Sequence, residues 1–76
     1  MNESEAEICH LIIHHEERTI ERVLRLRSGR VVSAETVGGP YPTGDFNQIR
    51  SHFLRHYAGL SLKNGWQFRV EEVDEL

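Results

Sequence analysis

Five histidines, at positions 10, 14, 15, 52 and 56 of a 76-residue chain, are the side chains whose type and spacing most invite a chemical reading. His52 and His56 stand four apart, the spacing that brings two rings to one side of a helix and supplies half of many zinc sites. The intervening Phe53, Leu54 and Arg55 include no glutamate to serve as a general base. A third ligand would have to come from His10, His14, His15 or Glu35, and no spacing enforces that. In an extended segment His14 and His15 point to opposite sides. His10 and His14 share a side but stand about 13 Å apart, too far to grip one ion. His52 and His56 therefore read as boundary histidines of a helix, and no cofactor is expected.

Other catalytic constellations are thinner still. Cys9 is the single cysteine, so the chain has no internal disulfide, and its apolar setting reads as a small core residue. Glu16-Glu17 and Glu71-Glu72 are adjacent rather than facing pairs. No serine sits in a G-x-S-x-G elbow. The Gly38–Gly44 loop lacks the lysine of a phosphate cradle and the spacing of a dinucleotide fingerprint. The chain reads as a non-enzyme.

Arginine carries the recognition signal. There are eight, against one lysine, and Arg suits geometrically specific ion pairs at protein interfaces. Arg25, Arg27 and Arg30 cluster around a predicted hairpin tip, with Arg18 and Arg22 further down the strand. Arg50 and Arg55 extend the exposed side of a predicted helix. Tyr41, stiffened between Pro40 and Pro42, reads either as an outward anchor or as a ring packed over the sheet edge. The net charge of −3 hides a segregated pattern: acidic at residues 1–17 and 70–76, basic at 18–30 and 50–69. With a pI near 5.9, this favours a protein surface over nucleic acid as the partner of the basic patch.

The elements that must position these groups follow from periodicity. From Glu7, apolar residues fall on both sides of a period of two, as in a central strand. Glu16-Glu17 breaks it, and a second strand runs from about Thr19 to Arg27. Ser28-Gly29 predicts a two-residue turn into a third strand from about Arg30 to Val37. That register pairs Arg25 with Val32, Leu24 with Ser33 and Arg22 with Glu35. It places Cys9, Leu11, Ile13, Ile20, Leu24, Leu26, Val31 and Val37 on one apolar face. After the loop, Asp45 reads as an N-cap with Gln48 completing a capping box. A helix then carries Phe46, Ile49, Phe53 and Tyr57 as its stripe and ends at Gly59, with Leu60 as the following contact. Lys63-Asn64-Gly65 turns into a last strand from Trp66, which could lie beside the first strand or the third.

The expectation is one small α+β domain, β-β-β-α-β, with a mainly antiparallel four-stranded sheet and one helix on one face. It spans residues 7–73, between a disordered tail at 1–6 and an acidic tail at 74–76. No apolar run approaches a membrane span, so a cytoplasmic protein is expected. The core is thin for this length. Ile8, Ile12, Val23, Val32 and Ala34 on the second sheet face suggest a homodimer. The functional expectation is a regulatory or inhibitory protein that binds another protein through Arg25, Arg27 and Arg30, helped by Tyr41, Arg50 and Arg55. The alternatives are a nucleic-acid module using the same patch and a metal protein built on His52 and His56.

Overall fold

A computed structural model describes residues 3–42 and 44–74. The chain forms β1 (Ile8–His14), β2 (Thr19–Arg25), β3 (Val31–Gly38), α1 (Phe46–Asn64) and β4 (Gln67–Val73). The four strands make one sheet in the order β3-β2-β1-β4, antiparallel except where β4 runs parallel to β1. This is a single small α+β domain with one helix on a four-stranded mixed sheet. Of the expected tails, residues 1–2 and 75–76 lie outside the described residues. Glu3–Glu5 make a short 3-10 turn, and Ala6 is buried.

Apolar residues on both faces of β1 suit an interior strand, and it pairs along its whole length on both edges. Cys9, Leu11 and Ile13 point under the helix and are fully buried. In the expected register, Cys9 faces Leu24 and Ile13 faces Ile20. Phe46 and Tyr57 complete the buried cluster, with Ile49, Phe53, Leu54, Leu60, Trp66 and Phe68 packed around it. Gly38 leaves the room that two rings occupy, since a Cβ there would lie 2.5 Å from the Tyr41 hydroxyl and 2.8 Å from Phe53 Cζ.

The β2–β3 hairpin differs from the two-residue turn. Gly29 N–H donates to Leu26 O and Leu26 N–H to Arg30 O, which encloses a three-residue loop, Arg27-Ser28-Gly29. Gly29 takes the positive φ (98°) that such a loop requires at its last position. The longer loop slips the register by one, so Arg25 pairs with Val31 instead of Val32. A register shift between Leu24 and Arg25 then restores the expected pairs Leu24–Ser33, Val23–Ala34 and Arg22–Glu35. Val31 is thereby turned away from the helix and left 48% exposed, while Val32 packs on the core.

The helix is also longer than expected. Asp45 adopts a near-helical conformation (φ −99°, ψ −7°) rather than the extended one an N-cap needs, and its side chain makes no capping bond. Gly59 is passed through. An interior glycine costs about 1 kcal/mol, and continuing the helix buries Ser61 and packs Leu60. The left-handed C-cap is Gly65 (φ 73°), whose N–H donates to Leu62 O. Lys63 and Asn64 are thus the last helical residues rather than a turn. Opposite stability effects are expected at the two glycines. Gly59→Ala, which meets nothing within 4 Å, should stabilise by about 0.5–1 kcal/mol. Gly65→Ala should destabilise by about 1 kcal/mol through its positive φ. Denaturant midpoints for the two variants check both signs.

Candidate functional site

The six arginine and tyrosine positions singled out for partner binding lie on separate surfaces. Arg25, Arg27 and Arg30 gather at the β2–β3 tip. Arg25 Nη1 donates to Gly29 O at 2.8 Å, and its Nε donates to His10 Nδ1 at 3.3 Å. Arg25 is therefore a brace inside the hairpin. Arg27 projects, with its side chain 86% exposed; its backbone N–H donates to the Glu7 carboxylate at 2.9 Å, and its Nε lies 3.7 Å from that carboxylate. Arg30 is exposed beside it.

Tyr41 is half-buried, its ring centroid 6.4 Å from both Phe46 and Phe53. Arg18 Nε donates to Tyr41 O and Tyr41 N–H to Arg18 O, which fastens the loop to the start of β2. Arg50 reaches from the helix to Glu72 on β4 at 3.0 Å. Arg55 is on the exposed side of the helix. With His52, Phe53 and His56 it lines an open groove of about 490 Å³. Helical spacing puts His52 and His56 on the flank opposite the Arg50 contact with β4. Among the described residues no group of three or more His, Cys, Asp or Glu could hold a metal ion, and no helix is long and apolar enough to cross a membrane.

Arg22 is separated from the other hairpin arginines. It lies on the helix side of the sheet, 3.6 Å from Glu35 and hydrogen-bonded to the Tyr57 hydroxyl. Burial raises the Tyr57 pKa, and Arg22 partly offsets that rise. Burial likewise pushes the Cys9 thiol up, against a smaller downward pull from the neighbouring Ser61 hydroxyl and from Arg22. A buried thiol held in its protonated form is a poor nucleophile.

Sequence reasoning weighed the remaining histidines only as metal ligands and missed their partners. Each of His10, His14 and His15 meets a glutamate from a neighbouring strand: His10–Glu71 at 3.0 Å, His14–Glu21 at 3.1 Å and His15–Glu72 at 2.6 Å. At His10 the bond from Arg25 occupies Nδ1, so Nε2 carries the proton donated to Glu71. Arg25, His10 and Glu71 thus form a polar chain across β2, β1 and β4, on the face away from the helix. This face also carries Ile8, Val23 and Ile12, but Ile8 and Val23 are already buried by their neighbours. Val32, expected there, packs on the helix side instead.

No protein-family model, curated protein or solved structure matches the chain. Two outcomes follow from the local chemistry. Cys9 should react with a thiol reagent only as fast as the protein unfolds, which labelling at several denaturant concentrations measures. Glu72 is held below the ordinary glutamate value of 4.5, first by its hydrogen bond with His15 and then by Arg50. A depressed native pKa gives stability that is full above that ordinary value and is lost as pH falls below it through the native one. Glu72→Gln should therefore flatten the acid limb of stability against pH, read as denaturant midpoints across the acid range.

Proposed function

We propose that this chain is a non-enzymatic, cytoplasmic regulatory module that binds an acidic surface of another protein through its β2–β3 hairpin. The observation that carries the reading is the posture of the tip. Arg27 and Arg30 project from a three-residue loop closed by two backbone hydrogen bonds, and Arg25 clamps that loop through Gly29 O. A loop ordered before contact loses little conformational entropy on binding. Guanidinium groups presented this way suit bidentate pairing with carboxylates.

Charge distribution supports a protein over nucleic acid. Glu7 stands beside Arg27 and interrupts the positive surface, which a continuous phosphate backbone needs unbroken and a few placed carboxylates do not. Two projecting arginines also make a small phosphate footprint. Arg25 acts in this reading as a positioning residue.

The test compares the wild-type chain with Arg27→Glu/Arg30→Glu as immobilised baits in nuclease-treated host extract. The double variant should keep the wild-type circular dichroism and melting profile. A protein retained by the wild type and released by the variant supports the reading. Retention of the same proteins by both baits, or of none by either, overturns it. A salt series with duplex DNA and with RNA separates the nucleic-acid alternative. That alternative would show sequence-independent binding that weakens steeply with salt, about 0.9 log units per log unit of salt for each neutralised phosphate of a duplex.

A further inference from the structure

The two edges of the sheet are built differently. Along β3 the register with β2 shifts twice, and such irregularities twist an edge away from further pairing. Along β4 every residue from Gln67 to Val73 pairs in step with β1. The strand has no proline, lysine or bulge, and Val70 at its centre is 43% exposed. Gln67 N–H donates to Glu7 O, and Val73 O accepts from His15 N–H. Because backbone direction alternates along a strand, Gln67, Arg69, Glu71 and Val73 bond towards β1. Phe68, Val70 and Glu72 direct their N–H and C=O groups outward.

We infer that β4 is a dimerisation edge on which a second copy of this chain adds its own β4, antiparallel, about a two-fold axis through Val70. In that register Val70 faces its counterpart, and Phe68 faces Glu72 of the other copy. All three are outward-bonding positions, so the phase of the hydrogen bonds fits. Arg69 then faces Glu71 of the other copy, twice over. These are non-hydrogen-bonded pairs, the class in which side chains come closest, with Cα atoms about 4.5 Å apart. Arg69 makes no ion pair among the described residues, so it has a charge to offer.

Neighbouring registers lack this match. A two-fold axis at Arg69, Glu71 or Glu72 sets like charges face to face, and one at Phe68 removes the Arg69–Glu71 pairs.

The helices allow the same arrangement. α1 lies over β1 and β4, so strand spacing puts the two helices about 10 Å apart across the axis, an ordinary packing distance. From Arg50, which touches β4, steps of four lead along that flank to Leu54, Ala58 and Leu62. Leu62 is 85% exposed, the most exposed of the large hydrophobic residues among those described. The dimer would be a continuous eight-stranded sheet with helices on one face. The tip arginines take no part in it, because β2 and β3 lie at its far ends; Glu71 also bonds His10, a contact that Arg69→Glu leaves in place.

Sedimentation across a concentration series, with charge reversal, tests the edge. Wild type should dimerise, and Arg69→Glu and Glu71→Arg should each weaken dimerisation about tenfold or more, since both cross-strand pairs become repulsive. Mixing the two variants should restore association, because each pair across the mixed interface is again of opposite sign. In the wild-type dimer the amides of Phe68, Val70 and Glu72 should be protected from hydrogen exchange. A chain that stays monomeric throughout the micromolar range, a dimer indifferent to both substitutions, a mixture that fails to associate, or free exchange at those amides would each overturn the inference.

Discussion

Parallel pairing of β4 with β1 sets the position of most other groups. It makes β1 an interior strand, so Cys9, Leu11 and Ile13 have neighbours on both edges and the helix above them. It also determines which half of the sheet the helix covers, since α1 must lead into β4 and lies over the β1–β4 pair. The acidic segment near the chain's end becomes structural by the same route. Glu71 comes beside His10, and Glu72 beside His15 and Arg50. Negative charge that reads as a solvated tail is drawn onto basic groups of β1 and the helix.

A second constraint acts at the hairpin. One extra loop residue moves Val31 to the open face and lets Arg25 reach Gly29 O. The register shift that follows confines this displacement to the tip, so Leu24, Val23, Arg22 and Glu21 keep the expected partners. Only a second shift at the far end gives Ile20 Gly38 in place of Val37. Local irregularity gives the arginines a fixed posture without disturbing the core beneath them. The arginines divide accordingly: Arg22 and Arg25 hold the fold, whereas Arg27 and Arg30 face solvent.

Much of this was legible in the sequence because short connections set register locally. The Glu16-Glu17 break was enough to place Cys9 opposite Leu24 and Ile13 opposite Ile20. Ser28-Gly29 located the second hairpin, and its middle pairs match because the shift at Leu24 offsets the extra loop residue. Errors arose where one residue satisfies two local solutions. Glycine at 29 suits a two-residue turn and equally the end of a three-residue loop. Glycine at 59 resembles a helix stop, yet tertiary burial of Leu60 and Ser61 carries the helix through it. The polar site was hidden for a different reason. The His10–Glu71 and His15–Glu72 contacts join residues nearly a whole chain apart, and no spacing in a linear pattern encodes them. Apolar residues on both faces of β1 were the one signal that a further strand belongs beside it.

The adjacency of the first and last strands also orders events during folding. The β1–β2 and β2–β3 pairs close through short connections and form from local contacts. The β4 edge waits for a loop spanning most of the molecule, and non-local closure of this kind slows folding. Until β4 docks, β1 is itself an edge: apolar, regular and with unpaired backbone groups, the kind of surface on which incompletely folded chains associate. The strand that finishes as the most protected in the molecule is thus its most vulnerable before the last contact forms.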